Sequence, residues 1–175
     1  MQQRREEERL RVENQIRATQ RPFKKIDAVT TWMEQYEEIR DRYLFLVLDG
    51  DSMYGKSRFA ANLTTAEKFF LVDCASATEP ELRQFDRDQH DVVCFDEAKP
   101  SMIIRVKKLA QAGVDIARLG RSATNQVSYQ VWFHRVKLVI CCNGWETHLK
   151  ALPPEDVAWL KKNSVYVKVT APLFG

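Results

Sequence analysis

Short, continuous apolar runs recur along the chain, and segments with helical spacing of apolar residues separate them. An apolar run of about four to eight residues without polar alternation is typical of a strand covered on both faces, as in parallel sheets. We predict two strands of this buried kind, YLFLVLD (43–49) and VKLVICCN (136–143). Three further strands are predicted at FFLVD (69–73), DVVCFDEA (91–98) and SVYVKVT (164–170).

The intervening segments predict helices. Apolar residues three or four positions apart favour a helix over 26–42, and others are predicted from Ser57 onward, over 103–113 and over 153–163. Residues 77–86 fit a short helix or a loop, and the loose alternation over 117–136 favours a hairpin. Strands that alternate with helices predict an α/β fold built around a mostly parallel sheet.

Composition limits the size and class of the protein. The 175 residues suit one domain, 45% of them are apolar, and the net charge is +3 with a pI near 8.7. This mildly basic balance permits a nucleic-acid or phosphate partner without requiring one. Residues 1–21 are highly charged and predict a polar helical or disordered leader, followed by a domain over 22–175.

The four cysteines, at positions 74, 94, 141 and 142, indicate a reducing compartment. Cys141 and Cys142 are adjacent within an apolar run, a poor arrangement for a disulfide or a tetrahedral zinc site. We therefore expect reduced, buried thiols and an intracellular protein of the nucleus or cytoplasm. No apolar stretch approaches the roughly 18 residues of a membrane span, and the N-terminus lacks the apolar core of a secretory signal.

The octapeptide GDSMYGKS matches the phosphate-loop pattern G-x-x-x-x-G-K-[ST] and stands between a predicted strand and a predicted helix. Its residues are the candidate nucleotide ligands: Gly50, Asp51, Ser52, Met53, Tyr54, Gly55, Lys56 and Ser57. In such a loop Lys56 contacts the β- and γ-phosphates of ATP, and the Ser57 hydroxyl is a ligand of Mg²⁺. The alternative is an ordinary glycine-bearing turn with a surface lysine.

Two later strands end in polar residues that a phosphate loop requires. Asp96 and Glu97 follow VVCF, where Asp96 is the candidate second Mg²⁺ ligand and Glu97 the candidate base for the attacking water. Asn143 follows LVICC and is the candidate that orients this water. The alternatives are a strand that merely ends in acids and a polar turn residue.

In this order, GDSMYGKS, VVCFDE and LVICCN resemble motifs A, B and C of superfamily 3 helicases. The resemblance is to the replication initiators of small circular single-stranded DNA viruses and their genome-integrated relatives. It covers roughly residues 43–170. It implies a three-layer, AAA+-like P-loop NTPase fold, ATP and Mg²⁺ as cofactors, single-stranded DNA as partner, a homo-oligomeric ring such as a hexamer, and a role in DNA replication of a virus-like element.

The resemblance also implies a hairpin between motifs B and C that carries basic residues to single-stranded DNA. The matching stretch is 107–126, where the candidates are Lys107, Lys108, Arg118 and Arg121. Basic residues are also common on protein surfaces, so this assignment rests on the resemblance.

Two features depart from the family. The histidines do not form the His-hydrophobe-His motif of the initiators' nuclease, so nicking and joining of DNA are not predicted. No arginine follows Arg135, and Lys161 or Lys162 stands where a neighbouring subunit's finger arginine is expected. These departures motivate one alternative, a domesticated, non-enzymatic nucleotide- or DNA-binding module. A small-molecule kinase is another, although neither an arginine-rich lid nor an acceptor pocket is evident in the sequence.

Overall fold

A parallel sheet forms the centre of the molecule in the computed structural model, which describes residues 1–120 and 127–174. Its five strands lie in the order β2-β3-β6-β1-β7 and are all parallel to their neighbours. They are β1 (Phe45–Gly50), β2 (Phe69–Asp73), β3 (Val92–Asp96), β6 (Lys137–Cys142) and β7 (Ser164–Val169). A separate antiparallel pair consists of β4 (Ala117–Leu119) and β5 (Tyr129–Val131). The predicted α/β class, the five strands and the hairpin are confirmed.

Burial explains which strands read as continuous apolar runs. The apolar residues of β1, β3 and β6 are almost wholly buried, since these strands have neighbours on both sides and helices on their faces. The edge strands are less covered, and Leu71 of β2 is 51% exposed. The order of the strands was not predicted.

Seven α-helices flank the sheet within the described residues. They are α1 (Gln2–Thr19), α2 (Asp27–Glu34), α3 (Lys56–Ala61), α4 (Pro100–Arg105), α5 (Lys107–Ala110), α6 (Trp145–Leu149) and α7 (Pro154–Lys162).

Three helices differ from the prediction, and residues 77–86 form turns and bends rather than a helix. The helix expected over 26–42 ends at Glu34 in a 3-10 turn over Gln35–Glu37. The helix expected over 103–113 is divided at Val106, whose φ of −126° is not helical. The helix from Ser57 is short and ends at Ala61.

The charged leader forms helix α1, which has no buried residue and contacts the domain through polar groups. Arg17 donates hydrogen bonds to the carbonyls of Ala61 (2.6 Å), the last residue of α3, and of Thr64 (2.7 Å), just beyond that helix. Glu13 accepts hydrogen bonds from Arg17 (3.0 Å) and Arg58 (2.9 Å). Of the two predicted states, helix or disorder, the structure adopts the helix, and ionic contacts hold it against α3.

The thiols are as predicted: all four cysteines are free and buried. Burial raises the pKa of Cys74 and of Cys142 to about 12. Within residues 1–120 and 127–174, no helix combines the length and apolar composition that crossing a membrane requires.

Candidate functional site

Residues 50–57, hereafter the GKS loop, connect the carboxyl end of β1 to the start of α3. The strand ends at Gly50, a 3-10 turn covers Ser52–Tyr54, and α3 begins at Lys56. Asp51 stabilises the turn, because its Oδ1 accepts a hydrogen bond from the Met53 amide at 2.9 Å. The predicted strand–loop–helix context is therefore present.

Both glycines of the motif occupy positions where a side chain would clash or be strained. A Cβ on Gly50 would lie 2.3 Å from the carbonyl oxygen of Val169, which is in the neighbouring strand β7. Gly55 has φ = +78°, and a Cβ there would lie 2.8 Å from the ring of Phe174. These constraints fix the curvature of the GKS loop independently of any ligand.

The Lys56 side chain is held inside the GKS loop. Its ammonium donates hydrogen bonds to the carbonyls of Gly50 (2.6 Å) and Asp51 (2.8 Å), and the residue is only 7% exposed. A surface lysine would extend into solvent, so this geometry argues against the simple-turn alternative. The ammonium supplies a buried positive charge beside the start of α3.

Asp96 and Glu97 lie at the same edge of the sheet as the GKS loop. Burial and the neighbouring charge of Glu97 raise the pKa of Asp96, while the positive charge of Lys56 acts in the opposite direction. Glu97 has φ = +59°, and the next amide, of Ala98, donates to the Cys141 carbonyl on β6 at 3.2 Å. Lys56 is thus close enough to influence the ionisation of Asp96.

Asn143 directly follows β6, which separates β1 from β3 in the sheet. It therefore lies between the GKS loop and the acidic pair, and the residue is exposed. The three predicted motifs thus end adjacent strands at one edge of a parallel sheet, where ligands of open α/β sheets bind.

Asp49, the residue before the GKS loop, is a feature that the sequence analysis missed. It is 6% exposed, and its Oδ1 accepts hydrogen bonds from the amides of Gly144 (2.9 Å) and Trp145 (3.0 Å). Its Oδ2 accepts a hydrogen bond from the Tyr166 hydroxyl at 2.6 Å, and burial together with this bond raises the pKa of Tyr166. Asp49 thereby ties the turn that carries Asn143 to the start of the GKS loop. The sequence signal that could have identified Asp49 was a carboxylate within an otherwise apolar predicted strand.

A divalent cation at this edge would depend on few protein ligands. The described residues contain no group of three or more His, Cys, Asp or Glu side chains placed to hold a metal. Mg²⁺ commonly takes one or two protein ligands and completes its octahedron with phosphates and water. The Ser57 hydroxyl and the Asp96 carboxylate suit this type of coordination.

Three of the four basic residues predicted to contact DNA lie at a separate cleft of about 670 Å³. Lys107, Lys108 and Arg118 all line this cleft, whereas Arg121 lies outside the described residues. Lys107 is 3.6 Å from a carboxylate oxygen of Asp156, and Lys108 is 3.7 Å from one of Asp115. Arg118 is exposed on β4, so the cleft presents three cations on one surface.

Lys161 and Lys162 are exposed in the last turn of α7. The strand that follows starts at Ser164, which pairs with Phe45 at the amino end of β1. The lysine pair and the GKS loop therefore lie at opposite edges of the sheet, and one chain does not bring them together.

These elements define an α/β protein in which a glycine–lysine loop, an acidic pair and an asparagine meet at one edge of a parallel sheet. No protein-family model matches the sequence, and no curated protein matches it. The functional proposal therefore depends on the residues and their geometry.

Proposed function

We propose that this protein is a P-loop NTPase of the superfamily 3 helicase type, which binds ATP with Mg²⁺ and acts on single-stranded DNA in the replication of a virus-like element. The observation that carries the proposal is the buried ammonium of Lys56 within the GKS loop. Asp96, Glu97 and Asn143 support it, because they end the neighbouring strands at the same edge.

The GKS loop is suited to bind a triphosphate. Lys56 is already positioned by two carbonyls, so phosphate oxygens need only replace these acceptors. The loop curves around this charge and leads into α3, whose first amides add their partial positive charge. In this proposal residues 50–57 surround the phosphates.

The acidic pair and Asn143 are suited to hydrolysis rather than to binding alone. When bound between Ser57 and Asp96, Mg²⁺ would neutralise charge on the phosphates. Glu97 would accept a proton from the attacking water, and Asn143 would orient that water. Asp49 positions Asn143 by fixing the amides of the two residues that follow it.

No arginine follows Arg135 in the sequence, so the region after Asn143 offers no arginine finger to a neighbouring subunit. Loss of an arginine finger costs about 10³–10⁵ in rate in related phosphoryl transfers. Because Lys161 and Lys162 lie at the opposite edge of the sheet, they can serve only the site of a neighbouring subunit in a ring. The absence of arginine after Arg135 favours a second candidate, a nucleotide- or DNA-binding module without turnover.

ATP binding and hydrolysis test the proposal directly. With Mg²⁺ and single-stranded DNA, we expect phosphate release that is lost in Lys56→Ala and retained in the matched surface variant Lys25→Ala. Glu97→Gln should still bind a fluorescent ATP analogue while hydrolysis falls at least tenfold. Equal nucleotide binding by wild type and Lys56→Ala would refute the proposal.

Light scattering and Lys162→Ala distinguish the two candidates. A hexamer in the presence of ATP, with hydrolysis reduced in Lys162→Ala, supports the ring-forming NTPase. A monomer that binds ATP without DNA-stimulated turnover supports the non-enzymatic module.

A further inference from the structure

A second cleft adjoins the one that holds the predicted DNA contacts. It has a volume of about 360 Å³ and is lined by the loop after β2, over residues 74–78, and by the start of α4. Arg105 lines both clefts, so they share a wall. We call the two together the basic groove.

The basic groove extends from the candidate nucleotide site to the hairpin. At one end, Lys99 follows Glu97 by two positions, and residues 74–78 directly follow the carboxyl end of β2. At the other end, Arg118 and Gln130 belong to β4 and β5. A chain-like ligand lying along this groove would contact both the candidate nucleotide site and the hairpin.

Positive charge predominates along the groove. The lining cations are Lys99, Arg105, Lys107, Lys108 and Arg118. Neither Lys99 nor Arg105 has an ion-pair or hydrogen-bond partner for its side chain within the described part of the chain, and both residues are exposed. The single acid among the described lining residues is Glu79, and its Oε1 already accepts a hydrogen bond from the Gly120 amide at 2.6 Å. Two cations are therefore available to a ligand.

The remaining lining groups indicate which part of a ligand is contacted. The hydroxyls of Ser76, Thr78 and Ser101 are hydrogen-bond donors suited to phosphate oxygens. None of the described lining residues is aromatic, so bases have no ring to stack on. This chemistry favours a polyphosphate chain over a base-specific contact.

We propose that the basic groove binds the phosphodiester backbone of single-stranded DNA, and that Lys99 and Arg105 extend this contact from the hairpin to the candidate nucleotide site. The inference rests on the proposed function, from which it takes single-stranded DNA as the partner. Binding is independent of base sequence and falls steeply with salt, as expected where phosphate contacts supply the affinity.

Fluorescence anisotropy with a labelled oligodeoxythymidine tests the groove. We expect Lys99→Glu/Arg105→Glu to bind at least tenfold more weakly than wild type. The matched control is Arg4→Glu/Arg5→Glu, which changes the net charge equally at exposed positions of α1 and should bind like wild type. The milder Lys99→Gln/Arg105→Gln removes two phosphate contacts and should make the slope of log K against log salt less negative by about 1.4, or about 0.7 per contact.

The salt slope separates a contact from a structural effect, since a merely destabilised fold does not alter it in proportion to the charges removed. The inference is overturned if the Lys99/Arg105 variants bind like the control while Lys107→Glu/Lys108→Glu/Arg118→Glu loses binding. That outcome leaves the proposed function intact. If wild type hydrolyses ATP but binds no single-stranded DNA, the proposed groove contact and the proposed DNA partner are both refuted, whereas the proposed nucleotide site is supported.

Discussion

Asp49 offers a sharp test of how the candidate site is held together. Its buried carboxylate joins β1 to the start of α6 and to β7 through short hydrogen bonds from Gly144, Trp145 and Tyr166. Replacing it with alanine removes the acceptor of three buried or partly buried amides, those of residues 144–146 (the last a long contact of 3.5 Å), and of the Tyr166 hydroxyl. We therefore expect a loss of stability in Asp49→Ala that is larger than for an ordinary polar substitution.

The magnitude follows from the bonds. A hydrogen bond to a charged group contributes about 1.5–3 kcal/mol, and burying the carboxylate opposes this gain. Asp49→Ala removes three short bonds of this kind, but water partly replaces them and the cost of burying the charge is recovered. We therefore expect the substitution to lower the free energy of unfolding by about 3 kcal/mol. For a chain of this length that corresponds to a fall in Tm of about 6–12 °C.

Asp49→Asn provides a graded comparison. Its amide oxygen still accepts from Gly144 and Trp145, and its NH₂ group donates to the Tyr166 oxygen, so mainly the charge is lost. We expect a cost of about 1 kcal/mol, within the range for a charge near a helix start. The matched control is Asp51→Ala, because Asp51 is exposed and its carboxylate accepts one local hydrogen bond.

Urea unfolding followed by tryptophan fluorescence measures these differences. The expected order of destabilisation is Asp49→Ala, then Asp49→Asn, then Asp51→Ala. If Asp49→Ala costs less than about 1 kcal/mol, the hydrogen bonds that Asp49 accepts contribute no more than exposed hydrogen bonds do, and the reasoning is refuted. If Asp49→Asn is as severe as Asp49→Ala, the retained acceptor is without effect and the explanation is wrong.

Two further predictions concern α1 and Gly55. Burial alone would raise the pKa of Glu13, but hydrogen bonds from Arg58 and Arg17 outweigh it and lower that pKa below 4.5. The stability that Glu13 contributes is therefore present above about pH 4.5 and is lost as the pH falls through the lower folded-state pKa. The urea midpoints of wild type and Glu13→Gln should accordingly differ at pH 7 and converge in acid. Gly55→Ala should cost more than the roughly 1–2 kcal/mol of a left-handed residue, because its Cβ also meets Phe174. Gly144→Ala isolates the backbone cost, since Gly144 has φ = +83° and, apart from its chain neighbours, no atom of the described residues lies within 4 Å of its Cβ position. Equal losses in the two variants would exclude a contribution from Phe174.

The three central strands, β1, β3 and β6, could be predicted because burial on both faces leaves a local record in the sequence. The helix over 26–42 was predicted too long for a reason that periodicity does not contain. Gln35 exchanges two hydrogen bonds of 2.8 Å with the backbone of Leu44, and Trp32 donates to the same Leu44 carbonyl at 2.7 Å. These contacts hold the chain where it turns toward β1, and they join residues nine and twelve positions apart, a separation that helical periodicity does not report.

The same distinction applies to the site. The GKS loop and the Asp96–Glu97 pair are contiguous motifs, so their chemistry is legible from neighbouring residues. The bond between Asp49 and Tyr166 joins positions 117 residues apart and exists only because β1 and β7 are adjacent. The basic groove likewise requires α4 to lie beside the loop after β2, which no local pattern specifies.

The position of β1 has a consequence for protein synthesis. This strand is made before its two neighbours in the sheet, β6 and β7, which are distant from it in the sequence. Until then the apolar residues of β1 lack their partners, and the Val169 carbonyl that packs against Gly50 has not been made. Long-range parallel pairing of this kind is slow and exposes nascent chains to aggregation. The nascent protein thus carries an unpaired apolar strand until β6 and β7 have been made, and the GKS loop takes its final shape only once β7 has emerged.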